Sequence, residues 1–221
     1  MKITKLEPQK RHPNRYSIWV DGEFVVGVDQ EVVLSLGLME GLEIGKNELE
    51  RIFYEESKRK TKEYAFTLLS YRARSKKELI SRLKKRGSTS GKGCPARRIP
   101  IKSGAGEEDK SIDEVMAELE EVGLINDTEF ARAWVRERGE SRGIFKLRSE
   151  LFTKGISKEI IDEVLGESRI SEIEVAQNLT EHWLRSHKHL PEDVIRRRLF
   201  GFLARRGISY DTIKSLDIFK Y

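Results

Sequence analysis

Three histidines near the C-terminal end are the residues whose types could carry metal or acid–base chemistry. His182, His187 and His189 lie close in sequence to Glu181 and Glu192. Imidazoles and carboxylates bind zinc and transfer protons, but they do so at characteristic spacings that this cluster lacks. A polar helix end and the loop after it account for the cluster better. We therefore expect no metal site and no catalytic acid–base pair here.

Two further candidates for chemistry lie close together near the middle of the chain. The segment 87–93 is rich in glycine and contains Lys92, but no Ser or Thr follows the lysine and no buried strand precedes the segment, as a phosphate-binding loop requires. Cys94 is the single cysteine and has no histidine nearby to activate it. We therefore expect no catalytic residue and no cofactor, and predict that the protein is not an enzyme. An enzyme acting on nucleic acid is an alternative that the lack of clustered ligands disfavours.

Basic residues are the stronger candidates for function. The chain has 42 Lys and Arg against 37 Asp and Glu, and twelve of these cations against two acids fall between Lys58 and Arg86. Fifteen cations recur on three similar segments, and we predict that they bind a partner. They are Arg72, Arg74, Lys76, Lys77, Arg82, Lys84, Lys85 and Arg86 in the first segment, Arg142 and Lys146 in the second, and Arg196, Arg197, Arg198, Arg205 and Arg206 in the third.

If these segments stack in register, their cations form a basic stripe suited to a long anionic partner. That partner could be nucleic acid or a filament with an acidic groove. Alternatively, acids one helical turn away neutralise the cations. Arg132 has Glu129 nearby and Arg136 has Glu140, so the second segment is partly neutralised, whereas we expect the first and third to keep their charge.

A motif of two leucines and a glycine, each four residues apart, predicts the elements that carry these cations. It occurs at 79–87, 147–155 and 199–207. Leucines four apart share one helix face, and a glycine four residues further on is a typical helix end. Ile-Ser follows the second and third copies, so Ser157 and Ser209 are predicted to cap a next helix. A leading helix is predicted before each motif, with Trp183 replacing an arginine in the third copy, which suggests a capping repeat.

The chain outside the motifs has a different character. Residues 16–26 contain Asp21-Gly22 between β-prone runs, which predicts a hairpin with a type I′ turn. Helices are predicted at 29–39 and 46–62. Residues 88–110 are rich in Gly, Ser and Pro and are interpreted as a flexible insertion. The next helix is then expected to begin at Ser111 and to end at Gly123. One face of this helix would hold Ile112, Val115, Met116, Leu119 and Val122.

These patterns together predict a mainly α fold: tandem three-helix repeats in a curved elongated array, with a small N-terminal β-hairpin plus helix region. The expected domains are an N-terminal region at 1–60, repeat 1 at 61–126 with its insertion, repeat 2 at 127–168 and repeat 3 at 169–221. Neither an apolar signal core nor a membrane span is evident, so a cytoplasmic monomer that does not bind membranes is expected.

The repeat motifs resemble those of a known family. Arg72-Ala-Arg74-Ser75-x2-Glu78, continuing into the first leucine motif, is similar to the first-repeat signature of RecX, the bacterial regulator of the RecA recombinase. Gly123-Leu-Ile-Asn-Asp127-x2-Phe130-Ala131, followed by Gly143 and the second leucine motif, is similar to that of the second repeat. The resemblance covers roughly residues 60–216.

The resemblance implies a non-enzymatic modulator of RecA, most simply an inhibitor. Such proteins are similar in being helical-repeat arrays that bind in the groove of the RecA–DNA filament. There they would limit recombination, ATP hydrolysis and the coprotease activity of the SOS response, with single- or double-stranded DNA bound only weakly. A direct DNA-binding module of the helix-turn-helix type, using the helices that Ser157 and Ser209 cap, is the alternative.

Overall fold

A computed structural model describes residues 1–89, 105–168 and 170–219. The described chain is mainly helical with a small N-terminal sheet and tandem three-helix domains, which confirms the predicted fold class. It divides into two compact units. Unit 1 comprises residues 1–73 and 79–124, and unit 2 comprises residues 74–78 and 125–221.

Unit 1 begins with a three-stranded antiparallel sheet. Its strands β1 (Ile3–Gln9), β2 (His12–Val20) and β3 (Glu23–Asp29) pair in sequence order. The predicted hairpin is confirmed, because Asp21 and Gly22 have φ of 49° and 86°, the two positive values that a type I′ turn needs. Strand β1 was not predicted from the sequence. Its alternation is weak and it contains Pro8, which edge strands tolerate.

Four helices of unit 1 follow the sheet. They are α1 (Gln30–Ser35), α2 (Lys46–Tyr71), α3 (Lys76–Thr89) and α4 (Ala105–Glu121), and the first turn of α3 belongs to unit 2. The predicted helix at 46–62 and the leading helix of repeat 1 are one continuous helix, α2. Neither glycine nor proline occurs within α2, so nothing in its sequence ends the helix near residue 62.

Three predictions about the segment around the insertion are wrong. Gly87 lies inside α3 and does not end it. The insertion is shorter than predicted at both ends, because residues 88–89 belong to α3 and 105–110 to α4, which starts six residues before Ser111; the remaining 90–104 lie outside the described residues. Val122 does not share the predicted helix face, because it follows the last turn of α4, and it is 67% exposed. Gly123 does end this segment, with φ of 72°.

The sheet of unit 1 is fastened to α2 by a buried carboxylate. Glu56 is 2% exposed, and its oxygens accept hydrogen bonds from Arg15 Nη2 at 2.7 Å and from the backbone N–H of Asp29 at 3.0 Å. Lys60 Nζ lies 3.2 Å away. Burial by itself would raise the pKa of Glu56, but the Asp29 N–H and the charges of Lys60 and Arg15 outweigh it and lower this pKa. Glu56 is therefore ionised and ties two strands to one helix.

Unit 2 contains two successive three-helix repeats. Repeat 2 consists of α5 (Asp127–Arg138), α6 (Ile144–Thr153) and α7 (Lys158–Glu167). Repeat 3 consists of α8 (Glu172–His187), α9 (Glu192–Arg205) and α10 (Tyr210–Ser215), followed by a 3₁₀ turn at Asp217–Phe219. Each has its own apolar core, and the motif leucines at its centre are fully buried; they are Leu147, Leu151, Leu199 and Leu203.

The predicted helix caps of unit 2 are confirmed. Ser157 Oγ accepts the backbone N–H of Ile160, and Ser209 Oγ accepts that of Thr212. A serine cap of this kind stabilises a helix by about 1 kcal/mol. In repeat 3 the cap is reinforced, because Glu172 accepts the Ser209 hydroxyl at 2.6 Å and so ties the start of α10 to the start of α8.

Candidate partner-binding surface

Two motif glycines end helices as predicted and also serve as contact points between repeats. Gly155 and Gly207 have φ of 85° and 82°, which only glycine adopts without strain. A Cβ on Gly155 would lie 2.5 Å from Lys77 Cβ, and one on Gly207 would lie 2.4 Å from Lys146 Cβ. Both glycines are therefore covered by the start of another repeat's second helix.

Hydrogen bonds at equivalent positions complete both contacts. Ser75 Oγ donates to the carbonyl of Lys154 at 2.7 Å, and the backbone N–H of Gly143 donates to the carbonyl of Arg206 at 2.9 Å. When the leucine motifs are aligned, Ser75 corresponds to Gly143, and Lys154 corresponds to Arg206. The same contact between repeats, which we call the joint, therefore occurs twice in unit 2. In each case the start of the second helix of one repeat, at 75–77 or at 143–146, packs on the end of the second helix of the next repeat.

The predicted cations fall into three groups by exposure. Ten are exposed: Arg72, Lys77, Arg82, Lys84, Lys85, Arg86, Lys146, Arg197, Arg198 and Arg205. Four are half-buried: Lys76, Arg142, Arg196 and Arg206. Arg74 is 8% exposed and forms an ion pair with Glu78. Its position therefore indicates a structural role rather than contact with a partner.

Neutralisation extends further than the sequence suggested. Arg132 pairs with Glu129, as expected, and also with Glu163 and Glu167.

The expectation that the first and third segments keep their charge is wrong. Besides the Arg74–Glu78 pair in the first segment, Lys84 Nζ lies 2.8 Å from Asp109 there, and in the third Arg196 Nη2 lies 2.7 Å from Glu192. Most of these partners are exposed, so each such pair contributes little stability.

A half-buried arginine pair lies at the joint between repeats 2 and 3. Arg142 Nε is 3.4 Å from Glu150, and Glu150 also accepts Trp134 Nε1 at 3.1 Å. The Arg206 guanidinium lies 5.1 Å from the centre of the Phe202 ring. Burial, and then the nearby charge of Arg142, lowers the pKa of Arg206. These two arginines are half-buried at the joint and are therefore less available to a partner than the exposed Arg197, Arg198 and Arg205.

Two aromatic residues of α6 were not among the residues that the sequence predicted to bind a partner. Phe145 and Phe152 on α6 are 63% and 69% exposed. Their seven-residue spacing places them on one side of α6, while Leu147 and Leu151 face the core. The spacing of these phenylalanines relative to the leucines was the sequence signal that could have identified them as lying outside the core.

Among the residues that the structure describes, the other candidates for chemistry do not form a metal site. His187 stacks on Trp183 with 3.9 Å between ring centres, so it packs within repeat 3. Across residues 1–89, 105–168 and 170–219, no group of His, Cys, Asp and Glu side chains could hold a metal ion. The glycine-rich segment 87–93 lies mostly, and Cys94 entirely, outside the described residues. Within the same three ranges, no helix is long and apolar enough to cross a membrane.

An open cleft of about 820 Å³ in repeat 2 and the start of α8 is also not a defined ligand site. Arg132, Glu167 and Glu174 contribute to its lining. With Arg136 and Glu140 these residues give the lining charges of both signs.

A small sheet followed by tandem three-helix repeats, with cations on their second helices, defines a helical-repeat protein. The sequence model of the RecX regulatory protein's N-terminal domain matches residues 1–45. Those of the second and third three-helix domains of RecX match residues 126–165 and 171–216. The third segment, which looked divergent in sequence, is thus a recognisable domain. The chain belongs to the RecX family.

Relatives and solved structures agree with this assignment. The chain is 30% identical to regulatory protein RecX of Bacillus licheniformis over 96% of its own length and 75% of the relative. It is 33% identical to that of Amycolatopsis mediterranei, over 72% of this chain and 85% of the relative. A crystal structure of regulatory protein RecX has the same fold, with a TM-score of 0.67, 23% identity and 97% coverage of both chains. RecX from Lactobacillus salivarius gives a TM-score of 0.54 at 22% identity, covering 75% of this chain and 96% of the other. A RecX-type regulatory role follows from these relatives.

Proposed function

We propose that this protein regulates the RecA recombinase by binding in the groove of the RecA–DNA filament in the cytoplasm. Binding there limits recombination, ATP hydrolysis and coprotease activity, and the protein acts without catalysis of its own. The proposal rests on membership of the RecX family and on the resemblance of the repeat motifs to this RecA regulator.

One structural observation supports the proposal most directly. Equivalent joints in unit 2 connect the start of α3 to the end of α6, and the start of α6 to the end of α9. These helices carry exposed cations, among them Lys77, Lys146 and Arg197. Several modest charged contacts on one connected scaffold reinforce one another through effective concentration. A repetitive anionic partner such as a nucleoprotein filament suits that arrangement.

The direct DNA reader is less well supported by the same structure. Its reading helices would be α7 and α10. In α7 the exposed side chains include four acids, namely Glu159, Asp162, Glu163 and Glu167, which would repel phosphates. The other candidate, α10, is only six residues long. We therefore place DNA binding by this chain alone second to binding of the filament, and expect it to be weak.

The test is inhibition of a matched RecA on single-stranded DNA. ATP hydrolysis and strand exchange should fall at well below one molecule of this protein per RecA protomer, because a groove-bound molecule affects its neighbours. Co-sedimentation with the filaments should saturate in the same range. No effect at stoichiometric excess rejects the proposal. Tight, sequence-specific binding to naked DNA across a salt series would instead establish the direct DNA reader.

A further inference from the structure

The outer side of α6 presents two phenylalanine rings to solvent. Phe145 and Phe152 are 63% and 69% exposed, whereas Leu147 and Leu151 on the other side are 0% exposed. A seven-residue spacing is about two helical turns, so the two rings are about 10 Å apart along the helix axis. Repeat 2 therefore has a complete core without them, and their apolar surface is left to water.

Alignment of the leucine motifs shows that α6 departs here from its neighbours. Phe145 and Phe152 correspond to Lys77 and Lys84 in α3, and Phe145 corresponds to Arg197 in α9. All of these positions are exposed. At these two positions repeat 1 has two lysines, repeat 2 has two phenylalanines, and repeat 3 has Arg197 and Ala204.

Charges around the pair favour a protein surface over nucleic acid. Surfaces that stack bases combine aromatic rings with cations that track the phosphates. Here Arg148 is paired with Asp162, and Arg142 with Glu150 at 3.4 Å. The exposed cations Lys77 and Lys146 lie beyond the two ends of the pair and not between the rings, so the pair resembles the anchors of protein interfaces, which enter apolar pockets.

The ends of α6 indicate the charge of that surface. Lys146 is exposed next to Phe145, and Lys77 is exposed over Gly155, three residues beyond Phe152. The single acid of α6, Glu150, points away from the pair, since Trp134 Nε1 and Arg142 occupy it. The patch is thus apolar at its centre and cationic at both ends, complementary to an apolar crevice with carboxylates on its rim.

We propose that Phe145 and Phe152 are the apolar anchors by which repeat 2 binds its protein partner. The two rings enter an apolar crevice of the partner, and Lys77 and Lys146 pair with carboxylates at its rim. This inference rests on the proposed function, in which the protein subunits of the filament are that partner. It adds that the contact is hydrophobic at its centre and charged only at its ends.

The first test compares alanine variants for binding to RecA filaments on single-stranded DNA. Phe145→Ala with Phe152→Ala should weaken binding at least tenfold while the thermal unfolding midpoint stays close to that of the wild type. Tyr71→Ala removes another aromatic side chain, 79% exposed at the end of α2, and should leave binding unchanged. Wild-type-like binding of the double variant overturns the inference but leaves the proposed function standing.

A second variant separates apolar anchoring from charge. Phe145→Lys with Phe152→Lys gives α6 the side chains that α3 carries at Lys77 and Lys84. If charge alone attracts the filament, this variant binds more tightly, and that result overturns the inference. Anchoring by the rings predicts weakening at least as large as with alanine.

A third test measures the binding of the wild type and the alanine variant to naked single-stranded DNA. The alanine variant should bind it as the wild type does, and an equal loss on naked DNA would establish base stacking and overturn the inference. Failure of the wild type itself to bind filaments overturns the proposed function together with this inference.

Discussion

At the scale of single residues, the same motif position acts differently in different repeats. Gly155 and Gly207 end their helices, and the next residues, Ile156 and Ile208, donate back to the carbonyls of Leu151 and Leu203 at 3.1 and 3.2 Å. Both isoleucines are buried, at 2% and 4% exposure. This is the Schellman arrangement with its apolar contact. A serine follows Gly87 in the sequence instead, and α3 continues through this glycine to Thr89.

Because Gly155 lies at a joint, we expect its replacement to destabilise the protein. Gly155→Ala should lower the free energy of unfolding by about 2 kcal/mol, because a Cβ is strained at φ of 85° and would lie 2.5 Å from Lys77 Cβ. Gly166→Ala in α7 is the matched control, since a Cβ there meets nothing within 4 Å and alanine favours a helix. Urea denaturation of both variants measures the difference, and equal effects would contradict the proposed role of the joint.

The buried carboxylate of unit 1 gives a second prediction at this scale. Glu56→Gln should lower the free energy of unfolding by about 3 kcal/mol at neutral pH, because Arg15 loses its buried partner. Glu50→Gln, exposed on the same helix, should change little.

The pH dependence of this effect has a defined sign. The folded pKa of Glu56 is below its usual 4.5, so its contribution is present above 4.5 and is lost as pH falls through the folded value. Denaturation between pH 7 and pH 3 should show the wild type and the variant converging. A difference that is constant with pH would contradict an ionised Glu56.

At the scale of elements, the inter-repeat joint lies where the second helices begin. Ser75 is 0% exposed, accepts the backbone N–H of Glu78 at 3.3 Å and donates to Lys154 at 2.7 Å. One hydroxyl thus caps the first turn of α3 and bonds to the end of α6. In repeat 2 the corresponding Gly143 makes the joint bond with its backbone N–H instead. The joint is therefore set by backbone position and not by one side-chain type.

The double role of Ser75 makes it more important than an exposed serine of the same helix. Ser75→Ala should cost about 1–2 kcal/mol of unfolding free energy, because it removes a cap and leaves the Lys154 carbonyl without its donor. Ser81→Ala, exposed on α3, should be neutral or slightly stabilising. Thermal or urea unfolding of the two variants checks this. A cost at Ser75 no larger than at Ser81 would exclude the joint bond.

At the scale of the whole molecule, charge is the property that joins the sequence to the proposed partner. Of the fifteen predicted cations, Arg197 and Arg205 are both exposed on α9, and Arg205 directly precedes Arg206 at the joint. The net charge of +5 is modest, so attraction to an anionic filament depends on where cations lie and not on their total.

Whether binding depends on the position of the cations or on the total charge can be tested directly. Arg197→Glu with Arg205→Glu should weaken inhibition of RecA about tenfold or more and reduce its salt dependence, without unfolding the protein. Lys10→Glu with Arg11→Glu makes the same change in net charge at the exposed β1–β2 turn and should leave inhibition nearly intact. Inhibition curves at two salt concentrations compare them. Equal losses would mean that only net charge matters, and an unaffected first variant would mean that these arginines do not contact the partner.

The sequence by itself determined the features that depend on a few neighbouring residues. The type I′ hairpin turn, the serine caps and the buried faces of α6 and α9 each follow from residues within one or two helical turns or one turn dipeptide. The combined spacing of the repeat motifs was also enough to indicate the RecX family. The domain boundaries and the binding role of the cations remain predictions.

Only the tertiary structure decided which side chains reach water. Arg74 and Lys77 lie three residues apart, yet Arg74 is buried in an ion pair and Lys77 is exposed. Contacts such as Ser75 with Lys154 join residues 79 apart in sequence, and no local pattern encodes them. The spacing of Phe145 and Phe152 places them on the side of α6 away from Leu147 and Leu151, but it does not show whether another element covers that side. Burial depends on what packs against a side chain, so tertiary packing left their rings in solvent.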